Sequence, residues 1–130
     1  MERGLVRFTN ALYGVGVANG TDAIWLALEA YGIGKGDQVI TIPFTFFATA
    51  EAISQAGATP VFVDIDEDTF NINTNMIEEK ITSKTKAIIP VHLFGQPVEM
   101  NKIVDLGQKY DLKIIEDACQ VIGPFIKERR

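Results

Sequence analysis

Lys86–Val91 carries the run Ala87-Ile88-Ile89, apolar at every position. A strand that faces water on one side alternates apolar with polar residues. One that does not alternate is buried on both faces, as in parallel sheets covered by helices on each side. The neighbouring segments fit that architecture. Thr21–Tyr31 sets Ile24, Ala27, Leu28 and Tyr31 at the spacing of one helix face, and Gly32 follows as a left-handed stop. Tyr13–Ala18 reads as a strand before it. Gln38–Ile42 reads as a second strand closed by Pro43, and Thr45–Gln55 as an alanine-rich helix ended by Gly57. Val61–Asp64 is a short third strand, and a short helix is expected near Met76–Ile81. Pro97 suits the first position of a helix whose core face is Met100, Ile103, Val104 and Gly107. Lys113–Glu116 is a fifth strand. Residues 1–12 offer only Phe8, Ala11 and Leu12 as a short helical face, and the tail from Ile122 shows no periodicity. Strand and helix alternate with short links, which predicts an α/β fold of three layers around a mostly parallel sheet.

The bulk properties narrow the function classes. A length of 130 residues, 47% apolar, suits one domain with a real core. The formal net charge of −5, with no basic cluster beyond Arg129-Arg130, argues against nucleic acid as a partner. Met1 is followed by Glu2, Arg3 and Gly4 rather than an apolar leader, and no apolar run approaches the roughly 20 residues that cross a bilayer. The single cysteine, Cys119, has no internal disulfide partner, so a reducing cytoplasm is expected; it reads as a small buried residue with no partner for metal or thiol chemistry.

In open α/β sheets ligands bind beyond the carboxyl ends of the strands. That edge is expected to gather Asn19-Gly20-Thr21-Asp22, Thr45-Phe46, His92 with Gly95-Gln96, and Glu116-Asp117 with Gln120. The first group opens a helix, whose unpaired N–H groups and positive dipole end suit an anion; Gly20 allows close approach and Thr21 adds a hydroxyl. A phosphate is one reading of this group; taken alone, the motif favours an ordinary N-cap at Asn19 or Thr21. Taken singly, Phe46 is equally a core aromatic, Asp117 a cap, and His92 a structural histidine.

Three other patterns lead nowhere. Gly14, Gly16 and Gly20 imitate a dinucleotide fingerprint, but the first two fall within the expected strand. Asp64-Ile65-Asp66-Glu67-Asp68-Thr69 lacks the glycine of a calcium loop and reads as a solvated turn; no metal site is expected. Glu78-Glu79-Lys80 reads as a solvated face.

The segments VANGTDA, TIPFTFFATAEA, GATPVFVDID, TKAIIPVHLFGQP and IIEDACQ occur in an order and spacing that resemble the DegT/StrS-type sugar aminotransferases, over about residues 15–130. The resemblance implies part of the large domain of the aspartate-aminotransferase fold (PLP fold type I) and pyridoxal 5'-phosphate (PLP) as cofactor. Gly20, Thr21 and Asp22 would then lie at the cofactor phosphate, Phe46 on the pyridine ring, Asp117 at the ring nitrogen and Gln120 near the phenolic oxygen. His92 would stand behind them. It also implies nucleotide-sugar and amino-acid substrates, with glutamate the expected donor, products that feed polysaccharide or antibiotic sugars, and a homodimer. The Schiff-base lysine is expected beyond the end of this chain, together with the rest of the large domain and the small domain, so that no catalytic residue falls among these 130 residues. Sugar dehydratases of the same family, which carry histidine for that lysine, and a non-catalytic remnant remain open.

Overall fold

A computed structural model describes residues 2–121. The helices are α1 (Glu2–Thr9), α2 (Gly20–Ala30), α3 (Ala48–Gln55) and α4 (Met100–Tyr110); the strands are β1 (Gln38–Thr41), β2 (Thr59–Phe62), β3 (Thr85–Ile88) and β4 (Lys113–Ile114). The sheet runs β2-β1-β3-β4 with every strand pair parallel.

Side chains alternate between the faces of a strand. The consequence is visible in the strand pair at the centre. Val39, Ala87 and Ile89 point to one face and pack with Ile24 and Leu28 of α2 and Ala52 and Ile53 of α3. Ile40 and Ile88 point to the other and pack with Met100 and Ile103 of α4 and with Ile42, Val63 and Val98. The unbroken apolar run of β3 is therefore required by two cores, one on each side. Thr41, the buried polar residue ending β1, is satisfied by donating its hydroxyl to Ile89 O at 3.0 Å.

At the outer strand β2, Pro60 is paired in register with Val39. Thr59 N–H donates to Asp37 O and Val63 N–H to Thr41 O, so the odd-numbered amides of this strand face β1.

Several expectations are corrected. Tyr13–Ala18 is not a strand: it makes no ladder, and Tyr13 and Val15 are exposed. Gly16 N–H donates instead to Glu2 Oε1 at 2.7 Å. The helix expected from Thr45 begins at Ala48, after a turn, and the helix after Pro97 begins at Met100. Near Met76–Ile81 there are two 3-10 turns, Thr74–Met76 and Glu78–Lys80, anchored by the buried Ile77 between them. The lead-in forms α1, with Phe8 in it and Ala11 and Leu12 beyond it, and buries no side chain. Gly32, at φ +68°, does end α2 in the left-handed region. The tail from Ile122, with Lys127 and Arg129-Arg130, lies outside the described residues.

The two acidic runs have structural duties. Asp66 Oδ1 accepts from the Asp68 and Thr69 N–H groups and the Thr69 hydroxyl, an Asx turn. Glu78 receives Lys109 Nζ at 2.6 Å and the Tyr110 hydroxyl at 2.5 Å, pinning the end of α4; the lysine hydrogen bond first, then the tyrosine, lower its carboxyl below the usual range.

Candidate functional site

The carboxyl edge of the sheet gathers α2's first turn, the turn before α3, and the segments that follow β3 and β4. Asn19 caps α2: its Oδ1 accepts from Asp22 N–H at 2.9 Å, and its Nδ2 donates to Asp22 Oδ2 at 3.1 Å. The cap and anion readings are therefore compatible. Asn19 consumes the third amide of the helix, and among the described residues Gly20 N–H, Thr21 N–H and the Thr21 hydroxyl make no hydrogen bond. Asp22 closes the cap instead of offering a donor.

Gly20 has a second constraint. A Cβ built there would lie 2.7 Å from Cys119 Sγ, so this thiol is packed against α2's first residue. That contact joins the helix terminus to the segment after β4. Cys119 is exposed, which corrects its expected burial. Its thiol is nonetheless partly desolvated, and this, followed by the hydrogen bond and charge of Asp117, raises its pKa. Since thiolate is the nucleophile, Cys119 should alkylate with iodoacetamide at pH 8 several-fold more slowly in the folded chain than in urea. Asp117→Asn should recover part of the lost rate; equal rates in all three samples would contradict the packing.

Asp117 is 9% exposed and held from every side. Its backbone continues the sheet through a parallel bridge to Val91, with Asp117 N–H donating to Pro90 O at 2.9 Å and His92 N–H to Asp117 O at 3.1 Å. Its carboxylate accepts from the Thr49 hydroxyl at 3.0 Å on Oδ2 and from Cys119 N–H at 3.3 Å on Oδ1.

His92 is 2% exposed and bridges two segments. Val98 N–H donates to its Nδ1 at 3.0 Å, which makes Nδ1 the acceptor and puts the ring proton on Nε2, 3.1 Å from Glu116 Oε2. Buried Asn71 works alongside it, accepting from Leu93 N–H and donating to Gln96 O and Pro97 O. Both side chains staple the loop that follows β3, so His92 stands behind the edge and not on it.

The loop so held carries Phe94, at φ +53°, a left-handed value that costs a bulky side chain. Gln120 Oε1 accepts Phe94 N–H at 2.8 Å, leaving the Gln120 NH2 as the end able to donate outward. Phe46 is 76% exposed, and its carbonyl accepts Thr49 N–H at 3.3 Å, one turn from the residue that holds Asp117. Three other exposed aromatics pack together: Phe70 lies 5.9 Å from Phe44 and 6.3 Å, edge-on, from Phe94.

Among the described residues, four lysines lie away from this edge. Lys86 and Lys113 line a groove of about 770 Å³ with Tyr31 and Asp37, at the amino edge of the sheet. Lys102 is engaged with Glu99 and Asn75, and Lys109 with Glu78.

The structure thus links Gly20 through Cys119 to Asp117, and Asp117 through Thr49 to the turn bearing Phe46. Sequence reasoning missed Thr49 and Asn71. A threonine in an alanine-rich helix and an asparagine in a polar loop have no pattern that marks them, since their partners are remote in the chain.

The description of one family covers residues 1–130, the DegT/DnrJ/EryC1/StrS aminotransferase family. The chain is 53% identical over 123 residues to the pleiotropic regulatory protein of Geobacillus stearothermophilus, covering 95% of this chain and 33% of that protein. It is 51% identical over 126 residues to UDP-N-acetyl-3-dehydro-alpha-D-glucosamine 3-aminotransferase of Acidithiobacillus ferrooxidans, covering 97% and 34%. The crystal structure of NtdA from Bacillus subtilis with bound cofactor PMP superposes with a TM-score of 0.84 at 43% identity, over 92% of this chain and 29% of that one. The chain spans about a third of the length of these curated relatives.

Proposed function

Because this chain belongs to the DegT/DnrJ/EryC1/StrS aminotransferase family, we propose that it is the cofactor-binding part of a PLP-dependent nucleotide-sugar aminotransferase. The observation that carries the reading is the buried Asp117, oriented by two donors beside a helix terminus with unpaired N–H groups.

The residues present fit the cofactor. Two backbone N–H groups and a hydroxyl at the positive end of α2 suit a phosphate. A buried carboxylate suits a protonated ring nitrogen, an outward NH2 on Gln120 suits an oxygen acceptor, and the exposed ring of Phe46 suits a stacking face. When bound, PLP supplies an electron sink for the carbon that gains or loses the amino group. Gly20 and Thr21 anchor the phosphate, while Asn19 and Asp22 keep the first turn of α2 closed. Asp117 would keep the ring nitrogen protonated by ion pairing, and the Gln120 NH2 would donate to the phenolic oxygen.

The substrates of the whole enzyme, on this reading, are a keto-sugar nucleotide and an amino acid, glutamate being the proposed donor. The product serves polysaccharide or secondary-metabolite sugar synthesis in the cytoplasm, and the working assembly is a homodimer. Among the described residues, no helix is long and apolar enough to cross a membrane.

The test is a PLP titration of the chain followed by absorbance, with Thr21→Ala beside the wild type. Losing one hydrogen bond to a charged phosphate should weaken PLP by about tenfold, on the order of 1.5 kcal/mol. The thermal midpoint without ligand should stay within about 2 °C. An unchanged dissociation constant would reduce Thr21 to a cap residue.

A further inference from the structure

Thr49 sits in the first turn of α3, 1% exposed. A hydroxyl inside a helix commonly donates back to the carbonyl one turn earlier, as Ser54 of the same helix does to Ala50 O at 2.9 Å. Thr49 does not. Its hydroxyl leaves the helix and donates to Asp117 Oδ2 at 3.0 Å, across 68 positions of sequence. The direction of that bond is fixed, because an ionised carboxylate only accepts.

The other carboxylate oxygen is held separately, by Cys119 N–H. One donor comes from α3 on one face of the sheet, the other from the turn after β4. With the Asp117 backbone already fixed by the bridge to Val91, a donor on each oxygen sets the carboxylate's rotation. An ionised carboxylate has about four lone-pair sites, so acceptor capacity remains for a ligand.

We propose that Thr49 is a positioning residue of this site: it aims the Asp117 carboxylate at the nitrogen of a protonated heteroaromatic cofactor ring. The proposal rests on the PLP reading above and deepens it, and makes the turn before α3 serve the site twice, once through Phe46 and once through Thr49.

The full chain is titrated with PLP and with 1-deaza-PLP, in which carbon replaces the ring nitrogen. Thr49→Val keeps the shape and removes the donor. It should weaken PLP by about tenfold, or ~1.4 kcal/mol, and change the deaza analogue by less than about twofold. Thr49→Ser, which keeps the hydroxyl, should return PLP binding to within about threefold of wild type. Asp117→Ala should abolish the preference for PLP over the analogue. If Thr49→Val weakens both ligands equally, or neither, Thr49 only packs the helix and the proposal falls while the Asp117 assignment stands. If Asp117→Ala keeps the preference, the Asp117 assignment falls and takes the proposal with it. A wild-type chain that binds neither ligand overturns both.

Discussion

Replacing Asp117 with alanine is expected to lower the affinity of the chain for PLP by about 100-fold, because truncating one partner of a buried, hydrogen-bonded charge pair costs about 2–5 kcal/mol. The loss has two parts. The ring nitrogen loses the anion that favours its protonated form. The site also loses its order, because the Thr49 hydroxyl and Cys119 N–H are left without the acceptor that joins them. Asp117→Asn separates these parts, since an amide oxygen can still accept from Thr49 but carries no charge. Asparagine should therefore keep the unliganded thermal midpoint close to that of wild type while binding PLP nearly as poorly as alanine. Equal PLP affinity in wild type and both variants, by absorbance titration, would remove Asp117 from the site.

The second large effect concerns the scaffold. Ile88 is fully buried in β3, in register with Ile40 on one side and Ile114 on the other. It packs into the core beneath α4. Truncation to alanine there removes most of a side chain from a site whose neighbours belong to several elements and cannot all collapse inward. A loss of about 4 kcal/mol is expected, within the range of about 2–5 for buried isoleucine. Set against the usual 5–15 kcal/mol of a whole domain, that is a large fraction. Urea denaturation followed by circular dichroism measures it, and a midpoint equal to that of wild type would mean that β3 is not the spine of the sheet. Because β3 leads directly to His92 and the loop it staples, PLP affinity should fall together with stability in this variant, unlike Thr21→Ala.

The central strands were legible because burial on two faces leaves an unambiguous record: Ala87-Ile88-Ile89 admits no alternation. Tyr13–Ala18 misled for the complementary reason. Val15 and Val17 have the residue types of a strand, but strand preference is largely a preference for neighbours, and this segment has none in the sheet. The start of α3 is not legible because Thr45, Phe46 and Phe47 carry no residue that bars a helix; what separates them from it is the turn itself. Within the candidate site, Asp117 and Gly20 stood out because they follow or open regular elements. Thr49 did not, because its role depends on a hydrogen bond that no local pattern encodes. The residue type of Cys119 suggests burial, whereas its place in the turn after β4 leaves it exposed against Gly20.

Pro60 gives the sheet a direction of growth. Since the odd-numbered amides of β2 face β1, the amide at position 60 would face outward, and proline has none to offer. A strand arriving on that side meets a missing donor at the middle of the edge, a device that discourages edge-to-edge association. The opposite border differs. Ile115 N–H and Asp117 N–H turn inward to Ile88 O and Pro90 O, so the intervening amides of Ile114 and Glu116 point away from the sheet with no proline among them. Among the described residues, β2 thus presents a border that discourages a further strand, whereas the border beside β4, where the segment bearing Asp117 lies, carries no proline.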